Sequence, residues 1–249
     1  MRRVVLVSLL IGVSIVGLAL VAKRDRPIKD LVAALPGKAS AYTVEKRVDQ
    51  YGKAVALRMA PAFAAAGVVY PPHEIAYVTF KDQRLLQVYA RNSNTAPWRH
   101  VTQYQVLAAS GKPGPKLKEG DSQVPEGIYE AESLNPNSRF HLSIRLNYPN
   151  IFDRRMAKGD ERTRLGGDIM IHGNQVSIGC LAMGDQAAED LFIMAAQVGK
   201  EHTRIVVSPT DFRAGNPAPT RQVPAWTAEL YDALRLELKQ YPRQFKQAT

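Results

Sequence analysis

The chemistry this sequence offers centres on its single cysteine. Cys180 closes the stretch Ile171-His172-Gly173-Asn174-Gln175-Val176-Ser177-Ile178-Gly179-Cys180, with a histidine eight residues upstream. A thiol becomes a nucleophile at neutral pH only with a base beside it or with a depressed pKa. His172 is the residue to supply that base. Gly173 and Gly179 permit sharp turns and let a substrate backbone come close to the sulfur. Three readings of Cys180 compete: a buried structural thiol, the usual fate of a free cysteine; a metal ligand; and a nucleophile. One cysteine and five scattered histidines give no paired-ligand spacing, so neither a metal nor a cofactor is expected. Ser-x-Gly-Cys entering a helix, with His-Gly just before it, favours the nucleophile over the structural thiol.

Other residues carry weaker signals. Ser177 either orients the thiolate or the substrate, or stabilises a turn with its hydroxyl. The Gly173 carbonyl is placed to orient the His172 ring; otherwise Gly173 serves only the turn. His141, between Phe140 and Leu142, either faces a cleft or is a hydrogen-bonded strand histidine. Arg145, Arg154 and Arg155 either hold substrate carboxylates by bidentate pairing or belong to a solvated basic loop.

The elements that must position these groups change character along the chain. After a short basic start, residues 4–22 form an apolar run followed by Lys23, Arg24 and Arg26. Its length lies between that of a cleaved signal peptide and that of a spanning helix. The expectation is export, with residues 1–26 as signal peptide or, preferred, an uncleaved membrane anchor. Residues 27–69 read as a helical segment, with Val44, Val48, Tyr51, Val55 and Met59 on one face and Pro61 ending or kinking it. Residues 70–210 then read as β, starting with a hairpin that turns at residues 81–84. Further strands are expected at residues 98–107, 127–132, 139–145 and 168–171, the last delivering His172. Residues 148–166 read as a long basic loop. A helix capped by Asp185 follows the cysteine, and a last core strand covers residues 204–207. Residues 211–249 read as a Pro-rich linker and a helix from Pro224 to Pro242.

A net charge of +10 and a pI near 9.7 would suit nucleic acid in a cytoplasmic protein. No nucleic-acid motif accompanies the charge, and no nucleic-acid partner is expected. Anionic headgroups and wall polymers suit it better, and plain solubility accounts for part of it.

At the cysteine motif the chain resembles a known family. His172-Gly173 followed by Ser177-Ile178-Gly179-Cys180 looks like the signature of the L,D-transpeptidases of the YkuD type, enzymes that remodel peptidoglycan. Gln123-Val124-Pro125-Glu126-Gly127-Ile128-Tyr129 resembles the family's upstream Pro-x-Gly-aromatic strand. Asn135-Pro136-Asn137-Ser138-Arg139-Phe140-His141-Leu142-Ser143 and Tyr148-Pro149-Asn150 resemble a divergent Gram-negative branch. Two positions depart from the common pattern: Ile178 stands where most members have His, and Ala182 where most have Arg. The gap from His-Gly to the Ser is also short.

The resemblance implies a mainly β fold, an L,D-transpeptidase-like β-sandwich with helical N- and C-terminal extensions. It implies attack by Cys180, with His172 as base, on the third-residue L-centre of a peptidoglycan stem peptide. Backbone N–H groups near Gly179 and Cys180 would stabilise the oxyanion. Ser177, His141, Arg145, Tyr148 and Arg154 would lie on the substrate side. The expected partners are peptidoglycan stem peptides and a wall-linked protein, with an anionic membrane surface nearby; the chain reads as a periplasmic monomer. Either an amine or water can resolve the thioester, so transpeptidase and hydrolase or amidase stay open. A non-catalytic wall-binding module is the rival of a different class.

Overall fold

The computed structural model describes residues 41–215 and 222–243. The expected signal peptide or anchor at 1–26, the start of the helical segment at 27–40 and most of the Pro-rich linker lie outside those residues. In chain order the elements are α1 (Val44–Ala66), β1 (Glu74–Phe80), β2 (Leu85–Arg91), β3 (Arg99–Gln105), β4 (Ala108–Ala109), β5 (Gly127–Ser138) and β6 (His141–Leu146). They continue as α2 (Ile151–Gly159), β7 (Met170–His172), β8 (Leu181–Ala182), α3 (Asp185–Val198), β9 (Thr203–Ser208) and α4 (Thr227–Leu238).

The strands make one curled nine-stranded sheet in the order β3-β2-β1-β9-β5-β6-β7-β8-β4. The long strand β5 is its hinge. Gly127 to Glu130 pair with β9, and Ala131 to Ser138 pair with β6. Register shifts at Ala131/Ser133 and Asn135/Ser138 bend it between the two halves. These bulges carry the strand through Asn135-Pro136-Asn137, where turn-forming residues suggested an earlier end.

β1 shows why the first half is buried on both faces. Ile75 and Tyr77 enter the main core beneath α1 and α3, while Ala76, Val78 and Phe80 enter a second cluster with Leu230, Leu234 and Leu238 of α4. Alternation along a strand sends successive side chains to opposite faces, and here each face has its own helical cover.

Three local expectations need correction. Pro61 does not end α1: it lies within the helix at an exposed position, and the helix runs on to Ala66. Residues 148–166 are not loop throughout: α2 forms there, because Asn150 and Asp153 make a capping box in which each side chain takes the other's backbone N–H. Asp185 does not cap α3. Gly184 occupies that place, and the Asp185 carboxylate instead accepts the N–H of Asn174 at 2.8 Å, tying the loop after His172 to the start of α3.

Candidate active site

His172 ends β7, and Cys180 immediately precedes β8. The two strands run parallel, with Ile171 beside Leu181 and His172 beside Ala182. β6 flanks β7 on its other side, with Ser143 opposite His172, Ile144 opposite Ile171 and Arg145 opposite Met170. Ile144, Ile171 and Leu181 all join the main core. Alternation then turns Ser143, His172 and Ala182 to the opposite face. Extending the register by one residue brings Cys180 beside Met170 and onto that same face, diagonal to His172.

The imidazole is held from two directions. Its Nδ1 lies 2.5 Å from the Gly173 carbonyl oxygen, so Nδ1–H donates there and Nε2 keeps its lone pair. The Phe140 ring stacks on it with centroids 4.7 Å apart and planes 29° from parallel. Gly173 has no room for a side chain. A Cβ there would meet Asp185 Oδ1 at 2.5 Å and the Phe140 carbonyl oxygen at 2.8 Å. Burial pushes the His172 pKa below the ordinary imidazole value, against the opposing pull of the Gly173 carbonyl.

The sulfur is half-buried. Cys180 Sγ lies 3.5 Å from the Asp168 carbonyl oxygen and donates to it. Burial raises the thiol pKa above its ordinary value, opposed by the Met170 backbone N–H; the Asp168 carboxylate adds to the rise, and Lys116 acts in the opposite sense. Each shift favours the neutral form of its group. Both shifts run against a preformed thiolate–imidazolium pair.

Ser177 turns out to be the knot of the turn. Its Oγ donates to the Cys180 carbonyl at 2.6 Å and accepts the N–H groups of Gly179 (3.3 Å) and Cys180 (3.2 Å). The N–H of Ser110 reaches it from the neighbouring loop. This is the turn-stabilising reading, and in this structure both N–H groups expected as oxyanion donors are directed at the hydroxyl. Gly179 has φ +129°, a conformation that a side chain would strain.

The remaining sequence candidates sit apart from the sulfur in differing degrees. Arg145 is nearest in role: it pairs with Glu132 and with the side chain of Asp168, both at 2.7 Å, and so braces the residue whose carbonyl holds the thiol. His141 Nε2 lies 2.9 Å from Glu189 Oε1, and its ring meets Tyr51 edge-on; it is a bonded strand histidine that links β6 to α1 and α3. Tyr148 is buried and donates to the Leu165 carbonyl, as part of the core beneath the 160–168 loop. Arg155 is paired with Glu229 of α4. Arg154 lines a cleft of about 750 Å³ with Lys158, Arg162 and Arg164. Neither Cys180 nor His172 lines that cleft, whose wall ends at Gly166, two residues before Asp168.

Phe140, Asp168 and Ser143 were not singled out from sequence. Phe140 and Ser143 lay within the quoted Asn135–Ser143 stretch, where their spacing from His141 gave no chemical hint. Asp168 acts through its carbonyl at φ +56°, which no side-chain pattern announces.

Residues 74–207 match the L,D-transpeptidase catalytic domain of the YkuD type. The chain belongs to that family, whose members act on peptidoglycan peptides. Its similarity to YafK of Escherichia coli strain K12, which is provisionally named as an L,D-transpeptidase, is 37% identity over 115 residues. That match takes in 45% of this chain and 44% of YafK, so the chain spans less than half the length of the curated relative it matches. Among solved structures, it resembles the helical cell shape determining protein Pgp2 from Campylobacter jejuni at 21% identity and a TM-score of 0.44, covering 59% of this chain and 50% of that one. It resembles Bd1075 from Bdellovibrio bacteriovorus at 23% identity and a TM-score of 0.40, over 67% and 54% of the two chains.

Proposed function

We propose that the chain is a cysteine acyltransferase that acts on peptidoglycan stem peptides through a thioacyl-enzyme. The observation that carries this reading is the placement of Cys180 immediately before β8, the strand paired with the one that ends in His172, with His172 Nδ1 committed to the Gly173 carbonyl. Nε2 is then the base. The S–H turns from the Asp168 carbonyl to Nε2, the proton passes as sulfur attacks the carbonyl carbon at the third-residue L-centre, and the imidazolium returns that proton to the departing amine. Because both shifts favour the neutral forms, proton transfer accompanies attack and does not precede it. The bound stem peptide extends toward the basic cleft, where Arg154 meets a carboxylate.

Two observations favour water as a second acceptor. Ile178 is 88% exposed, and Ala182 is fully buried beside His172. Neither position offers a polar group to hold an incoming amine-bearing peptide, so the thioester stands open to hydrolysis. Action on a wall substrate calls for an active protein outside the cytoplasmic membrane. The apolar run at 4–22 is the proposed export signal or anchor; among the described residues no helix is long and apolar enough to cross a membrane.

The test is intact-protein mass spectrometry with a carbapenem, whose strained ring an activated thiol opens, followed by purified muropeptides. Wild type gains the mass of the drug, and Cys180→Ser gains none. With cross-linked and tetrapeptide muropeptides and excess amine, released or shortened peptide is expected at least as often as new cross-links. Turnover by Cys180→Ser at the wild-type rate would overturn the cysteine mechanism. Products that are almost all new cross-links would remove the hydrolytic reading and leave transfer.

A further inference from the structure

Ser143 has no role in the chemistry described so far, yet it occupies a costly position. It lies in β6 directly opposite His172, so that Ser143, His172 and Ala182 form one row across three strands. It is 1% exposed, and its Oγ has no hydrogen-bond partner among the described residues. A buried hydroxyl without a partner weakens the fold by about as much as a hydrogen bond strengthens it, and such groups are rare in folded proteins. An alanine at this place would fit the strand without that cost. The row itself narrows what the hydroxyl can meet. Ala182 offers a methyl, and Nδ1 of His172 is committed to Gly173. On the β5 side the row continues to Asn135, whose Oδ1 accepts the N–H of Asn137 at 2.9 Å; on the β7 side, toward the cysteine, the polar atom left is Nε2 of His172. Side chains directly opposite in an antiparallel pair stand about 5 Å apart at Cβ, which one water molecule spans between a hydroxyl and an imidazole.

The geometry points to Ser143 as the positioning residue for the water that resolves the thioester. This rests on the thioacyl-enzyme reading above and specifies how its hydrolytic branch works. Ser143 Oγ takes one hydrogen bond of the water, and Nε2 accepts the other O–H. The water proton passes to Nε2 while its oxygen bonds to the thioester carbon. The carbon–sulfur bond breaks, the thiolate leaves, and the imidazolium reprotonates it. One water is consumed, and a carboxylic acid and a free thiol are formed. An amine acceptor is placed by its own peptide and does not use Ser143, so this hydroxyl sets the partition between hydrolysis and transfer.

Ser143→Ala removes one oxygen from the row and is the direct test, with Ser143→Thr as the variant that restores a hydroxyl. Three rates are read by mass on each protein with tetrapeptide muropeptides: appearance of the thioester, its loss to water, and its transfer to added amine. Ser143→Ala is expected to slow loss to water about tenfold while acylation and transfer stay within about twofold, as removal of one hydrogen bond from a single step predicts. Ser143→Thr is expected to recover part of the hydrolysis. An unchanged partition in a protein that still acylates overturns the water-positioning role alone. Equal losses in all three rates overturn it in favour of a merely structural hydroxyl. Failure of the wild type to form any thioester overturns the underlying reading, and this role with it.

Discussion

At the scale of single residues, burial favours the uncharged form of both members of the proposed pair. The same burial raises Cys180 and lowers His172, because a charge in either place gives up its water. A preformed ion pair would alkylate rapidly and evenly over about pH 5–7, as in cysteine sites with a depressed thiol pKa. Here alkylation of Cys180 by iodoacetamide should stay slow at neutral pH and climb only as the solution passes the ordinary thiol value of 9.0. Acylation by substrate should behave differently: it needs neutral His172, whose folded pKa lies below 6.5, so it should already be at its plateau at pH 7 and fall only on acidification. A fast alkylation plateau in the acid range would show that the ion pair exists at rest. The Gly173 carbonyl as the partner of the His172 ring was legible in the sequence. Phe140, Asp168 and Ser143 were not. Each acts through a neighbour brought close by strand pairing, and register does not show in residue type.

At the scale of elements, α2 shows how a charged surface can hide a helix. Its Arg154, Arg155 and Lys158 read as a solvated loop, while the Asn150–Asp153 box that starts it was in plain view. That box has a pH signature. Burial lifts Asp153 from 3.8 to about 6 in the fold, opposed by the Asn150 N–H that it accepts. A group raised in this way favours the folded state while it is protonated in both states. Its contribution is full below pH 3.8 and is lost as pH rises through about 6. The interval corresponds to about 3 kcal/mol at most. Asp153→Asn keeps an acceptor for the cap and cannot ionise, so the variant should gain stability over wild type as pH rises from about 4 to about 7. Urea melts across that range check it, and a constant difference between the two proteins would show that Asp153 ionises without strain. The strands were easier to foresee, because alternation and the turn at residues 81–84 are local signals. The length of β5 was not, because bulges override the turn-forming residues within it.

At the scale of the whole molecule, the C-terminal helix is part of the folded body. The first half of the sheet has two apolar faces, and α4 covers the one turned away from α1 and α3 through Leu230, Leu234 and Leu238. A buried polar network also reaches α4: Lys81 Nζ lies 3.0 Å from Glu126 Oε1, and the other carboxylate oxygen accepts the Tyr231 hydroxyl at 3.1 Å. None of the residues in this second cluster belongs to the cysteine site, so stability and chemistry should separate. Leu234 is fully buried, and Leu234→Ala leaves a cavity between helix and sheet that should cost about 2–5 kcal/mol. For a chain of this size that lowers the melting temperature by roughly 5–20 °C. Carbapenem acylation of Cys180, measured well below the new melting point, should stay within about twofold of wild type, since ordering of β7 and β8 depends on the other core. A folded Leu234→Ala protein that no longer acylates would instead show that α4 reaches the active site through the sheet.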